Sequence, residues 1–154
     1  MSSDAFKLPD SAPARIREFH ALWLEKASED VPDASDFDVG VLSAQYPLLA
    51  RIGTAGADLE LVWRDVAKAG HWPFRTPVKG RSVADSVPPL MSVTRAINSF
   101  QETLVSGVPD YFETTSWYYG GRTSLMARLV APLAAGDRRE LIALWEVMES
   151  PEAG

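Results

Sequence analysis

The order of the elements in this chain predicts an α+β domain, with an antiparallel sheet and its helices gathered on one face. Periodic segments follow one another along the 154 residues as an N-terminal helix, a β-hairpin, an irregular helical region, one long helix and three strands. Gly120-Gly121 and the run 134–138 are strong turn signals between the last three strands. Strands joined by such short turns pair antiparallel.

The N-terminal helix is predicted over residues 12–28 by an apolar stripe. Ile16, Phe19 and Trp23 recur at spacings of three and four, and the charged side chains lie mostly off this stripe. Such a stripe fits either the chain's own domain or a second copy of it. The second interpretation predicts a homodimer with Ile16, Phe19 and Trp23 at its interface.

An acidic stretch follows this helix. Residues 28–38 contain five carboxylates and Pro32, a composition typical of a solvated linker. A calcium loop beginning at Asp30 would need Gly at its sixth position and Glu at its twelfth, where the chain has Ser35 and Val41. The acidic stretch is therefore interpreted as a connector.

A β-hairpin and a long helix come next. Alternation of Leu61 and Trp63 with charged residues predicts a hairpin over 48–66, because a strand with one buried face has a period of two. Residues 67–89 are rich in Gly and Pro and lack either period. A stripe of apolar residues then predicts a helix over 90–106, which ends at Gly107.

The last third is predicted to be all strand. Residues 111–119 are rich in aromatic and Thr side chains, which favour strands. In the strand 122–133, Leu125, Ala127 and Leu129 share one side, and Arg128 falls on the other. A final strand is predicted over 140–148.

Three short motifs add to this order. Residues 78–85 contain a Gly turn before the long helix, residues 106–109 read Ser-Gly-Val-Pro after it, and residues 128–133 run into the polar turn at 134–138. In order and spacing these motifs resemble PAS domains. The resemblance is closest to a subfamily found mainly in α-proteobacteria, where the domain often stands nearly alone behind an N-terminal helix, and it covers about residues 12–148.

The resemblance implies a PAS-like five-stranded antiparallel sheet whose concave face, covered by helices, encloses a small molecule. It also implies that the final strand (139–148) pairs with the first (48–53) at the centre of the sheet. We expect a single domain over 12–148, with flexible ends at 1–11 and 149–154. This length leaves no room for an output domain. The resemblance therefore predicts a bacterial sensor that signals through a regulatory protein partner or a second copy of itself.

The pocket candidates are apolar, aromatic or imidazole side chains from the segments that would line such a cavity. They are Trp63, His71, Trp72, Phe100, Trp117, Leu125, Ala127 and Leu129.

Composition excludes several functions. The chain has no Cys, which removes thiolate catalysis, Cys metal sites and cysteinyl-flavin photochemistry. Haem is not expected, because haem-binding PAS sensors commonly take their ligand from the long helix and residues 90–106 contain no His. The cofactor is left unknown, no metal site is predicted, and no nucleophile or acid–base motif predicts an enzyme.

Net charge and hydropathy indicate which kinds of partner and which location to expect. A net charge of −6 argues against nucleic acid and anionic membrane surfaces. The longest uncharged stretch, residues 39–50, has 12 residues, short of the roughly 20 that span a bilayer, so a cytoplasmic location is expected. Two alternatives stay open: a cone-shaped α+β enzyme or ligand carrier, which differs in strand order, and a ligand-free protein-interaction adaptor.

Overall fold

The computed structural model confirms the predicted fold class. It describes residues 6–27, 31–55, 60–67, 80–83, 93–119, 122–136 and 138–148, with the side chains of 93–96, 114–119 and 122–124 left aside. The helices are α1 (Ala14–Lys26), a 3-10 turn (Ala34–Asp36), α2 (Val39–Leu42) and α3 (Val93–Ser106). The strands are β1 (Leu49–Ala55), β2 (Glu60–Val66), β3 (Asp110–Tyr119), β4 (Arg122–Ala135) and β5 (Arg138–Val147).

The five strands form one sheet in the order β2-β1-β5-β4-β3, and neighbouring strands pair antiparallel. The last strand lies at the centre, where Leu49 of β1 faces Leu144 of β5. This is the pairing of first and final strands that the PAS resemblance implies. The strand order therefore favours that interpretation over the cone-shaped alternative.

One face of the sheet, called the front, packs under α3. Phe100 of α3 is buried there among side chains from four strands. This front core comprises Leu48, Ala50, Ile52, Leu61, Trp63, Val83, Phe100, Met126, Val130, Leu141, Ala143 and Trp145.

The opposite face, called the back, packs under α1. Ile16, Phe19 and Trp23 are 0%, 0% and 6% exposed and lie against strand residues that include Leu129 and Leu144. The stripe predicted as a dimer interface is therefore used within the chain, because its own sheet offers a second apolar face.

The segment predicted as a solvated connector is part of the fold from residue 31 onward. The Pro32 carbonyl accepts a hydrogen bond from the backbone N–H of Ala134 at 2.8 Å, and Asp33 forms a parallel bridge to the same residue. Phe37 is fully buried and its ring lies edge-on to Phe19, with centroids 5.7 Å apart. The sequence did not predict these contacts, because the acids of this segment, which face water, give it the composition of a linker.

Residues 6–11 also pack on the domain, although they were predicted as part of a flexible end at 1–11. The ring of Phe6 lies 5.2 Å from that of His20, and Leu8 packs against the back core. Ser11 donates a hydrogen bond to the carboxylate of Glu113 on β3. Burial lowers the pKa of His20, because loss of water disfavours the charged imidazolium.

The indole of Trp23 joins α1 to the edge of β4. Its Nε1–H donates to the carbonyl of Pro132 at 2.9 Å. Proline has no N–H to offer a neighbouring strand, and pairing of β3 with β4 ends at Val130, so Pro132 lies where it costs the sheet no hydrogen bond.

We expect Trp23→Phe to lower the free energy of unfolding by about 2 kcal/mol, because one buried hydrogen bond is lost and the smaller phenyl ring leaves part of the indole volume empty. Leu24→Ala is the control, since Leu24 is 44% exposed on the same helix. That variant should stay within about 0.5 kcal/mol of wild type in urea denaturation. Equal losses in both variants would contradict the role of the indole N–H.

The C-terminal end of α3 is held by Arg139 from β5. The guanidinium Nη1 donates to the carbonyls of Leu104 and Val105 at 2.9 and 3.1 Å, which satisfies acceptors that the helix leaves unpaired. Gly107 then ends the helix at φ +73°, and a Cβ there would lie 3.1 Å from the guanidinium nitrogens.

Gly107→Ala should cost about 2 kcal/mol of unfolding free energy, because left-handed backbone strain is joined by crowding against Arg139. Gly136→Ala is the matched control: its φ is +68° and nothing lies within 4 Å, so only the strain of about 1 kcal/mol is expected. In an Arg139→Ala background the two losses should become equal. A persistent difference there would show that the guanidinium does not cause the excess.

Candidate functional site

The described pocket candidates do not share one face of the sheet. Trp63 and Phe100 belong to the front core, whereas Ala127 and Leu129 belong to the back core. Leu125 alternates with the latter pair and is 47% exposed. These five side chains therefore cannot line a single pocket. His71, Trp72 and the Trp117 side chain lie outside the described part of the chain.

The sequence did not reveal which of these side chains share a face, because both faces of β4 are buried. An apolar strand covered on each side gives no sequence signal of which face lies under α3. In the structure Met126, Arg128 and Val130 face the front, one residue out of step with the predicted set. A shift of one residue moves a whole set of side chains to the other face.

A groove of about 730 Å³ opens on the front side, between α3 and the start of β3. One wall is a polar stripe of α3, and the other combines the loop before β3 with Phe112. The lining residues are Asn98, Ser99, Glu102, Thr103, Ser106, Val108, Pro109, Asp110, Phe112 and Arg128. Its size lies within the range of small-molecule sites.

Arg128 forms the floor of this groove. It is 4% exposed, and its guanidinium carbon lies 5.1 Å from the ring centre of Phe100 and 5.5 Å from that of Phe112. A guanidinium placed over aromatic rings is attracted by their electron-rich faces. Two elements therefore hold this charge in place: α3 supplies one ring and β3 supplies the other.

A serine links the guanidinium to a carboxylate. Arg128 donates from Nη2 to the Ser99 hydroxyl at 3.3 Å, and that hydroxyl donates to Asp110 at 2.7 Å. Burial lowers the pKa of Arg128, and the charge of Asp110 opposes this shift. Nε of Arg128 has no hydrogen-bond partner among the described residues.

Arg128 was not predicted as a site residue, although the sequence holds a signal for it. It is the one charged residue in an apolar run from Leu125 to Ala135. A charge at a position of a strand that is otherwise apolar has to be paired or exposed. The partners Ser99 and Asp110 come from other elements and have no such signal.

The groove offers hydrogen-bonding and charged groups rather than metal ligands. Among the residues that the structure describes, its lining contains no His or Cys. Throughout the described ranges, no three His, Cys, Asp or Glu side chains come close enough to hold a metal ion. Within the same ranges, no helix has the length and apolar character needed to cross a membrane.

Solved structures with the same fold are LOV domains, which belong to the PAS superfamily. The chain matches a fungal LOV domain photoreceptor with a TM-score of 0.50 and 10% identity, over 90% of this chain and 94% of that one. The light state of the blue-light photoreceptor Aureochrome1 LOV gives a TM-score of 0.49 and 14% identity, over 73% of this chain and 89% of that one.

No family model matches the chain, and no curated protein does. At this level of identity the structural similarity shows the fold alone. The fold expected from the PAS resemblance is therefore confirmed, and membership of the α-proteobacterial subfamily stays a prediction.

We expect Arg128→Met to leave stability unchanged or to raise the free energy of unfolding by up to about 2 kcal/mol, as replacement of buried charge by packed apolar atoms often does. Asp110 lines the open groove, where water can hydrate it once the guanidinium is gone. The matched control is Arg139→Met, which loses two helix-capping bonds and should cost about 1 kcal/mol. A larger loss for Arg128→Met in urea denaturation would contradict this.

Proposed function

We propose that this chain is a sensory and regulatory PAS-like domain that binds a small molecule in the groove and signals through contact with a regulatory protein. The observation that carries the proposal is the position of β3. This strand contributes to the groove on its front side and contacts the N-terminal segment on its back side.

Successive side chains of β3 point to opposite faces of the sheet, so the strand connects the groove with the N-terminal segment. Asp110 and Phe112 line the groove, and the intervening Tyr111 points to the other side, where its hydroxyl donates to Glu113 at 2.8 Å. Glu113 also accepts the hydrogen bond from Ser11. Burial and the neighbouring Glu113 raise the pKa of Tyr111, which favours the protonated phenol that donates this hydrogen bond.

A ligand that moves Asp110 or Phe112 would therefore displace the residues that hold the N-terminal segment. Ser11 and the residues before it would carry the change to the surface of the domain. The apolar stripe of α1 is already buried, so we place the contact with a protein partner on the outer side of this segment rather than on Ile16, Phe19 and Trp23.

The sensing chemistry differs from a cysteinyl-flavin photocycle. The two similar structures are described as blue-light photoreceptors or LOV photoreceptors. This chain has no Cys, so no flavin–cysteine bond can form in it. The described lining of the groove also contains no His to ligate haem iron. Reversible binding of a ligand is the mode of sensing that its residues support.

Native mass spectrometry of the full chain, purified from its own host, tests the ligand part of the proposal. We expect a non-covalent mass excess below about 1 kDa, the range of ligands that such a groove accommodates. Asn98→Trp should abolish the excess, because Asn98 lines the groove. Gln101→Trp, which adds the same side chain at an exposed position of α3, should retain it. A chain that carries no such mass would support the ligand-free adaptor instead.

Hydrogen exchange tests the transmission step. Removal of the bound molecule by unfolding and refolding should change the exchange of amides in residues 6–12 as well as in β3. Glu113→Gln should reduce this coupling, because the charged acceptor shared by Ser11 and Tyr111 is lost. Exchange that changes only around the groove would contradict transmission through β3.

A further inference from the structure

We infer that the groove binds a free α-amino acid with an apolar side chain. This inference rests on the proposed function and adds the chemical class of the ligand. It follows from three features of the lining: a cation at the floor, two carboxylates on the walls, and an apolar patch beside them.

The guanidinium at the floor of the groove favours a ligand that carries a carboxylate. Arg128 is only 4% exposed, yet its Nε has no hydrogen-bond partner among the described residues. Within 4.0 Å the ion pairs of the described chain join Arg51 and Arg64 to Glu140, and none involves Arg128. Arg128 lines the groove, so a carboxylate bound there would form an ion pair with a guanidinium that has none within 4.0 Å among the described residues.

The carboxylates on the walls of the groove favour a ligand that also carries a positive group. Glu102 is exposed on α3, and Asp110 lies half-buried at the start of β3. Asn98, Ser99 and Ser106 add side-chain oxygens along the same lining. Two carboxylates against one guanidinium leave the groove with a net charge of −1, and the chain itself has a net charge of −6. An ammonium group fits this lining, whereas a simple anion is repelled by it.

The third feature selects the side chain. Val108, Pro109 and Phe112 form an apolar patch across from the polar stripe of α3. A molecule with a carboxylate toward Arg128 and an ammonium toward Glu102 would bury an apolar side chain on this patch. The charge pattern therefore indicates a zwitterion, and the patch indicates one with an aliphatic or aromatic side chain.

The test uses the full chain after removal of any bound molecule by unfolding and refolding. Each of the twenty standard L-amino acids is titrated by thermal shift, and the best binder by calorimetry. We expect apolar members to raise the melting midpoint most. For L-leucine, two matched probes each lack one charge: 4-methylpentanoate has no ammonium and 3-methylbutylamine has no carboxylate. Each should bind at least about tenfold more weakly, as the loss of one charged hydrogen bond implies.

Three variants assign the charges. Arg128→Met should weaken leucine binding by about 10–100-fold without weakening that of 3-methylbutylamine, because the carboxylate partner is lost and the repulsion between guanidinium and ammonium goes with it. Glu102→Gln should weaken leucine and 3-methylbutylamine together. Glu60→Gln removes the same charge from an exposed position on β2 and should change neither.

Four outcomes overturn the inference: no amino acid raises the melting midpoint, polar members bind better than apolar ones, 4-methylpentanoate binds as tightly as leucine, or 3-methylbutylamine does. These results leave the proposed function intact if native mass spectrometry still finds a bound molecule that Asn98→Trp excludes. The absence of both amino acid binding and any bound molecule would remove the ligand from the proposed function as well.

Discussion

Burial of β5 on both faces is the constraint on which the rest of this structure depends. Its residues 141–145 are all buried, with Leu141, Ala143 and Trp145 under α3 and Ile142 and Leu144 under α1. The strand pairs with β1 on one side and β4 on the other. Because the central strand needs cover on two faces, the chain uses the stripe of α1 within its own domain and ties residues 31–37 and 6–11 to the same side.

That arrangement leaves polar side chains at the margins of the front face, and two arginines there have different surroundings. Arg139 meets the free carbonyls at the end of α3 and is explained by the fold. Arg128 lies under the middle of α3, between two aromatic rings, with one long hydrogen bond to Ser99. Burial of an incompletely satisfied charge costs stability, and this cost at the floor of the groove is the observation that supports the proposed ligand site.

Much of the fold was predictable because local periodicity carries it. The α1 stripe, the hairpin 48–66 and the three final strands lie within a few residues of their predicted bounds, and the strand order agrees with the PAS resemblance. The site was less predictable. Leu125, Ala127 and Leu129 form a correct alternation, but alternation does not reveal which side lies under α3. Residues 31–38 resembled a linker because their acids face water, while Pro32 and Phe37 are buried.

The sequence by itself determined the elements, their order and the absence of cysteine chemistry, since these depend on local pattern and composition. Only the tertiary structure decided which face of each strand meets which helix, and it alone brought Ser99, Asp110, Phe112 and Arg128 together from α3, β3 and β4. The physical reason is that contacts between distant segments depend on how two apolar faces are shared among the helices. No single stretch of the chain records that choice.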